Sequence, residues 1–374
     1  MNNREWSRPQ VYKIDKLSQL TELSSDLGGY EVADNLAYIA DDLYELNNPD
    51  KLDDTQARAS FKEVVLAEGS TFGKWVAYPW LKSLVQFPDD DDYYNLRTFR
   101  NRDLIKDDEQ AKLKSSKIAV FGLSVGSNVV ESSSQMGIGQ EWMLFDFDRL
   151  SPTNLNRIRS SMAHVGLLKT TIAGRKMAEL DPYINQEHYT DGYNDSIDDI
   201  LRNNKPDIII EEVDDVESKA KIRRIASELK VPLVMAGDVG DRSTLSIERY
   251  DQPKTIPFNG KLNNAEYESL VDGSLGDKDG VLMKMVGIKN LSPRLIESSM
   301  KRGVELAGLP QLGATATAGG ALASVAIRDI LLGRHIDSSD RVVDLRKSVG
   351  SSAPTSLSES ISIIRDFIKY RKNK

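Results

Sequence analysis

Between residues 118 and 169 the chain carries, in order, the groups that a nucleotide requires. A hydrophobic run leads into the turn Gly122-Leu123-Ser124-Val125-Gly126-Ser127, a second run ends in Asp146 and Asp148, and Asn154, Arg157 and Lys169 follow. A glycine turn that opens a helix lets backbone N–H groups approach a phosphate or an adenosine, and the helix start carries partial positive charge. Gly122, Ser124, Gly126 and Ser127 are therefore nucleotide-binding candidates. The full GxGxxG pattern is not met, and read alone such a turn is also a plain strand-to-helix connection. Asp146 lies 20 residues after Gly126, the interval at which dinucleotide folds set a carboxylate on the adenosine ribose. A nicotinamide-dependent oxidoreductase would read the same up to this point. Asn154 and Arg157, just past the strand, and Lys169, at an expected helix start after Val165-Gly166, have no evident use in hydride transfer. A triphosphate uses all three, the Arg as a bidentate fork and the Lys as a point charge. For any one cation the plainer reading is a solvated surface.

A third run ends in IIIEEVDDVESK, with Glu211, Glu212, Asp214 and Asp215 at a strand's carboxyl end. Carboxylates beside phosphate-binding cations make sense if they hold Mg²⁺, which bridges phosphates and is usually bound by one or two acids. The alternative is a helix N-terminus decorated with acids that match its dipole.

These residues need elements to hold them. From residue 117 onward the pattern alternates: KIAVFG, a helix from about 127 to 136, EWMLFD, a helix from about 169 to 180, DIIIEE, a helix from 218 to 229, and VPLVMAG. Continuous Val/Ile/Leu strands between amphipathic helices predict an α/β fold with a doubly wound, mostly parallel Rossmann-like sheet. TLSIERY reads as a further strand, residues 253–287 as a polar Gly/Asp-rich stretch, and the small-residue segment 313–333 as a close-packed helix. Upstream, Leu36, Ile39, Leu43 and Leu46 fall at helical spacing, and residues 73–87 read as a hairpin around Tyr78-Pro79-Trp80. The expected organisation is a small N-terminal α+β appendage (1–96), a nucleotide-binding domain (97–335) and a C-terminal tail helix (336–374).

Composition bounds the function. The chain has 374 residues, 40% of them hydrophobic, enough to bury a sizeable core. Its net charge of -8 repels polyanions, so a nucleic-acid partner is not expected. Cysteine is absent, which excludes disulfides, thiolate zinc sites, cysteine nucleophiles and persulfide carriers together. No run of about 18 apolar residues occurs, and the start MNNREWSRPQVYK lacks the apolar core of a secretory signal, so the expected compartment is the cytoplasm.

The Gly/Ser turn, Asp146-x-Asp148, Asn154-Leu155-Asn156-Arg157, Val165-Gly166 to Lys169, and Asp214 to Lys219 together resemble the ThiF/MoeB/HesA superfamily, the adenylating core of ubiquitin-activating enzymes. The resemblance covers about residues 100–333. It implies attack of a carboxylate on the α-phosphate of ATP, releasing pyrophosphate and leaving an acyl adenylate. By the same resemblance Asp146 is the ribose ligand, Asn154, Arg157 and Lys169 are the phosphate clamp, and Asp214 is the Mg²⁺ ligand. Arg100-Asn101-Arg102 resembles the family's Arg-x-x-Arg entry element, which implies that Arg102 acts on the partner subunit's ATP in a homodimer. The turn departs from the family by carrying Ser124 and by being one residue shorter. The missing cysteines rule out a thioester relay and paired-CxxC zinc. What remains resembles the pantocin and microcin maturation enzymes, which implies that residues 1–96 hold a ribosomally made peptide whose Glu, Asp or terminal carboxylate is activated in natural-product (antibiotic) biosynthesis. In that reading the aromatic hairpin, with Trp75, Tyr78, Trp80 and Phe87, grips the peptide or simply packs. A tRNA-dehydrating adenylating enzyme and a non-catalytic nucleotide-binding scaffold are the further alternatives.

Overall fold

The β-branched and aromatic runs of the sequence form two sheets. The computed structural model describes residues 5–287, 290–352 and 355–372; the first four residues of the expected appendage and the last two of the basic tail lie outside the described residues. The chain divides into two compact units. The first takes the residues up to Ala111 together with Gln135–Gly137 and Gly174–Ile184; the second takes Lys112–Ser134, Ile138–Ala173 and Asn185 onward.

The first unit contains β1 (Gln10–Tyr12), α1 (Leu17–Asp26), β2 (Glu31–Ala33), α2 (Leu36–Asn47), α3 (Thr55–Glu68), β3 (Lys74–Tyr78), β4 (Ser83–Phe87), α4 (Asp90–Arg97) and the start of α5 (Asp107–Lys114). Strands β3 and β4 form the expected hairpin, with Val76 opposite Val85. The hairpin is the centre of a four-stranded sheet of order β1-β3-β4-β2, in which β2 runs parallel to β4. Gly73 is required at its mouth: φ is +58°, and a Cβ would lie 2.0 Å from the Phe87 carbonyl oxygen. Trp75, Tyr78 and Phe87 are buried, and the Tyr78 hydroxyl donates to the Ala178 carbonyl at 2.8 Å. These three aromatic side chains are core, so the packing reading holds for them and the gripping reading does not. The helix expected around Leu36 is α2, but its buried seam is Leu36, Ala40 and Tyr44, which packs on Phe61 and Val65 of α3; Ile39, Leu43 and Leu46 are half-buried.

The second unit holds β5 (Lys117–Phe121), α6 (Gly126–Gln135), β6 (Glu141–Phe145), the first turn of α7 (Lys169–Leu180), β7 (Asn185–Tyr189), α8 (Asp195–Asn203), β8 (Ile208–Glu211), α9 (Val216–Leu229), β9 (Leu233–Val239) and β10 (Arg242–Glu248). Then follow α10 (Asn264–Val271), α11 (Lys278–Val286), α12 (Pro293–Lys301), α13 (Gly313–Leu331), β11 (Ser339–Asp344), α14 (Leu345–Ser348) and α15 (Leu357–Lys372). The seven strands lie in the order β11-β10-β9-β8-β5-β6-β7; β5 to β9 are mutually parallel, and β10 and β11 add antiparallel. This is the α/β, doubly wound, Rossmann-like sheet that the alternating pattern predicts. In register across it, Phe121 stacks on Phe145 with ring centres 4.2 Å apart, and Phe145 on Tyr189 at 4.5 Å.

Three features differ from expectation. Residues 253–287 include α10 and α11, whose Leu270, Val281 and Met285 bury against Val216 and Ala220 of α9; Gly and Asp between the apolar positions hide that periodicity. Strand β7 is missing from the sequence reading because NQEHY is polar, being only partly covered at the sheet's edge. The 336–374 segment contributes more than a helix, since β11 pairs with β10. The small residues of α13 do allow close packing: a Cβ on Gly320 would come within 2.7 Å of Asn128 on α6, and the hydroxyls of Ser133 and Ser324 meet at 3.0 Å. No helix among the described residues is long and apolar enough to cross a membrane.

Candidate functional site

Strand order β7-β6-β5-β8-β9 reverses direction between β5 and β8, and ligands of open parallel sheets bind in the crevice at the carboxyl ends of the strands at such a switch. The turn after β5 and the loop after β8 meet there. Gly122 has φ +87°, and a Cβ on it would lie 2.4 Å from the Glu212 carbonyl oxygen, so glycine is required by contact as well as by dihedral. Helix α6 starts at Gly126. Ser127 turns its hydroxyl back to the Ser124 carbonyl at 2.9 Å, which tightens the turn.

Asp146 sits at the end of β6 with its side chain 6% exposed. Its carboxylate accepts from the backbone N–H of Leu123 in the turn and of Asp148, both at 2.7 Å. Burial pushes its pKa up, against the opposing charge of Lys169 and those two backbone donors. Lys169, at the start of α7, puts its ammonium 2.7 Å from Asp148 and 3.9 Å from Asp146. The lysine is 9% exposed and Asp148 is 53% exposed, so the aspartate can yield the cation to a phosphate at little desolvation cost. Arg157 donates from Nε to the Ser124 hydroxyl at 3.0 Å and from Nη1 to Asn156 Oδ1 at 3.0 Å. Asn128 of α6 in turn donates to the Arg157 carbonyl at 3.3 Å. Asn154 ends the short turn Pro152–Asn154, where its Oδ1 accepts from the Ser151 N–H at 3.0 Å. The structure thus brings together the turn, Asp146, Asp148, Lys169 and Arg157 through direct contacts; Asn154 shapes the loop that carries Arg157.

The four acids at and just past the end of β8 separate by role. Glu211 is fully buried and bonded to Lys219 at 2.8 Å, to Arg223 at 2.7 Å and to the Val213 N–H at 3.0 Å. Burial alone would raise its pKa, but the charges of Lys219 and Arg223 outweigh it and hold the group below its ordinary range. Arg223 continues to Glu248 at 2.8 Å, which also accepts from Tyr250. Asp215 is the N-cap of α9 and accepts from the Ser218 N–H at 2.7 Å. Glu212 accepts from the Ala236 N–H and is pushed well above its ordinary range, by burial first and then by the charges of Glu211 and Asp238. Asp214 is exposed, as Asp215 is, but alone of the four has no hydrogen bond or ion pair among the described residues. Of the four it is the one free to meet a cation. No group of three or more His, Cys, Asp or Glu side chains that could hold a metal ion converges among the described residues.

Arg102 belongs to the first unit, where its half-exposed side chain lies over the Phe99 ring and 4.0 Å from Asp107. Two residues absent from the sequence reading join the site. Asp238, on β9, accepts from Gln311 at 3.1 Å, and the Gln311 carbonyl accepts from Asn156 at 2.8 Å, so a chain of bonds runs from Arg157 to Asp238. Burial raises the Asp238 pKa, against Gln311 and the Arg157 charge. A strand-end position, the signal that identified Asp146, marks Asp238 as well.

The ThiF family model matches residues 98–290. The chain is 32% identical over 274 residues to an uncharacterized protein of Mycobacterium tuberculosis, covering 73% of this chain and 38% of that protein. It is 30% identical over 152 residues to tRNA threonylcarbamoyladenosine dehydratase of Haemophilus influenzae, covering 40% of this chain and 58% of the dehydratase. The chain therefore spans less than two thirds of either relative. Among solved structures, Escherichia coli MccB with MccA is similar at a TM-score of 0.44 and 18% identity, covering 66% of this chain and 68% of MccB. Escherichia coli tRNA N6-threonylcarbamoyladenosine dehydratase is similar at a TM-score of 0.46 and 18% identity, covering 64% of this chain and 95% of that chain. At this level of likeness neither structure bears on substrate or mechanism.

Proposed function

The chain belongs to the ThiF family of adenylating enzymes, and from that premise we propose that it activates a carboxylate with ATP and passes the acyl group on without a thioester relay. The observation that carries the reading is the assembly at the switch point, where Asp146 accepts from the turn's Leu123 N–H while Lys169 and Arg157 stand beside the same turn. In the reaction a carboxylate oxygen bonds to the α-phosphorus of ATP, the bond to the bridging oxygen breaks, and pyrophosphate leaves. A second nucleophile then attacks the acyl carbon and AMP leaves. Asp146 orients the ribose; Lys169, exchanging Asp148 for a phosphate oxygen, and Arg157, held by Ser124 and Asn156, neutralise charge developing on the phosphates. This is positioning and electrostatics, with no protein nucleophile required. Asp214 is the residue that would hold Mg²⁺, which when bound supplies Lewis-acid charge at the phosphates. Arg102 completes the partner subunit's site in a homodimer.

The absence of cysteine excludes capture of the acyl group by a thiol of this chain. The proposed substrate is a ribosomally made peptide held by residues 1–96. Strands β1 and β2 stand at the edges of the first unit's sheet, and an open edge can accept an added peptide strand. A second reading, adenylation on tRNA, is favoured by the 30% identity to the Haemophilus dehydratase and opposed by the net charge of -8. ATP–pyrophosphate exchange with a panel of peptides on one side and tRNA on the other separates the two. Arg157→Ala and Asp214→Ala should each abolish AMP formation with unchanged melting; retained activity in either, or no exchange with any carboxylate despite bound ATP, overturns the proposal.

A further inference from the structure

The β8–β9 pairing sets the Asp214 loop beside a second carboxyl group. Ile210 is paired with Val234, and just past the end of β8 the Glu212 carboxyl accepts from the Ala236 N–H of β9. Asp214, in the loop that leaves the end of β8, stands close enough for its negative charge to act on the Asp238 carboxyl. Asp238 Oδ1 is bonded to Gln311, whereas Oδ2 is shut away from solvent and has no hydrogen-bond partner among the described residues. A buried carboxyl oxygen left without a partner is costly, and such atoms are rare unless a ligand or ion completes them. The groups around it are those of a phosphate–metal site: Asp214, whose charge acts on it from the loop after β8, and Arg157, linked to Asp238 through Asn156 and Gln311.

We propose that Asp238 is a second protein carboxylate for the Mg²⁺ that accompanies ATP, its Oδ2 joining Asp214 on the cation. Mg²⁺ is commonly held by one or two carboxylates with substrate phosphates and water completing the octahedron. The Gln311 bond fixes the carboxyl plane, as partners of metal-ligating carboxylates do. This inference rests on the adenylation reading, because the phosphates supply the remaining ligands.

The test is metal binding to the full chain without turnover. Free Mn²⁺, standing in for Mg²⁺, is followed by its paramagnetic resonance signal during titration into protein saturated with the α,β-methylene analogue of ATP. Asp238→Asn should weaken Mn²⁺ binding by at least about tenfold, the lower end of what losing even a supporting partner costs a metal site. It should leave analogue binding in chelator unweakened, since Asn keeps the acceptor for Gln311. Asp238→Glu, which keeps a carboxylate, should recover part of the metal affinity. Equal Mn²⁺ affinity in the wild type and a folded Asp238→Asn, with Asp214→Ala impaired, overturns the role of Asp238 and leaves adenylation standing. Failure of the wild type to bind the analogue at all overturns both.

Discussion

Replacing Gly122 by alanine asks whether the nucleotide turn and the Asp214 loop form one packed unit. The added Cβ would lie 2.4 Å from the Glu212 oxygen, 2.6 Å from its carbonyl carbon and 3.0 Å from the Val213 nitrogen. Against a favourable separation of about 3.5 Å the shortfall is ~1 Å, and all of these neighbours are main chain that cannot swing aside. The left-handed dihedral costs a non-glycine residue about 1–2 kcal/mol. Overpacking against a fixed wall adds about 1–3 kcal/mol. At about 2–4 °C per kcal/mol for a domain of this size, the variant should melt roughly 4 to 20 °C lower. Gly333→Ala supplies the control in the same unit, because φ there is +74° and nothing among the described residues lies within 4 Å of the added atom. Its loss reports the dihedral strain alone. Thermal unfolding with and without ATP reads both quantities: Gly122→Ala should melt below Gly333→Ala and lose the stabilisation by ATP, while Gly333→Ala keeps it. If the two variants melt together, or if Gly122→Ala retains the full ATP shift, the turn and the loop are not coupled as described.

Glu212→Gln keeps the acceptor for the Ala236 N–H but removes a charge whose pKa is raised, chiefly by burial, well above its ordinary 4.5. A raised folded-state value means that the group's stabilising contribution is present below the ordinary value and is lost as pH climbs through the folded one. The melting advantage of Glu212→Gln over wild type should therefore grow as pH rises above the ordinary 4.5, and a difference that is flat or shrinks refutes the assignment. Lys169→Met leaves the buried Asp146 without its cation, so it should lower both the melting temperature and ATP–pyrophosphate exchange, the latter by about 10²-fold or more. Asp148→Asn, at a half-exposed partner, should leave the melting temperature nearly unchanged; the reverse ranking of these two variants in stability would be wrong for this geometry. Arg102→Ala and Asp214→Ala subunits, each inactive alone, should recover partial activity when mixed if Arg102 serves the partner's site, and failure to complement removes that role.

The parallel strands were legible because burial on both faces makes them continuous Val/Ile/Leu runs, and the helices between them because their apolar positions recur every three or four residues. Strand β7 and helices α10 and α11 were not, since an edge strand tolerates NQEHY and the apolar residues of the two short helices are separated by the Gly- and Asp-rich stretch 272–280. In the site, Asp146 could be placed by its interval from Gly126, and Arg157 and Lys169 by order. Glu211, Glu212, Asp214 and Asp215 could not be ranked from spacing, because the partners that distinguish them are remote in sequence: Arg223 and Lys219 for Glu211, Ala236 for Glu212, Ser218 for Asp215.

Asp238 shows what strand order adds. In the sequence it is one acid in VMAGDVGD, far from the nucleotide turn and with no motif around it. Knowing that β9 lies next to β8, and β8 next to β5, changes its meaning, because residues at the carboxyl ends of adjacent parallel strands converge on one edge however far apart they are in the chain. Gly122, Asp146, Asp214 and Asp238 each stand at or just beyond such an end. A rule that ranks acids by distance from a glycine turn finds only the first of the three. One that ranks them by strand end and neighbour finds all three, and it separates Glu211, which also ends a strand, by the buried cations that already hold it.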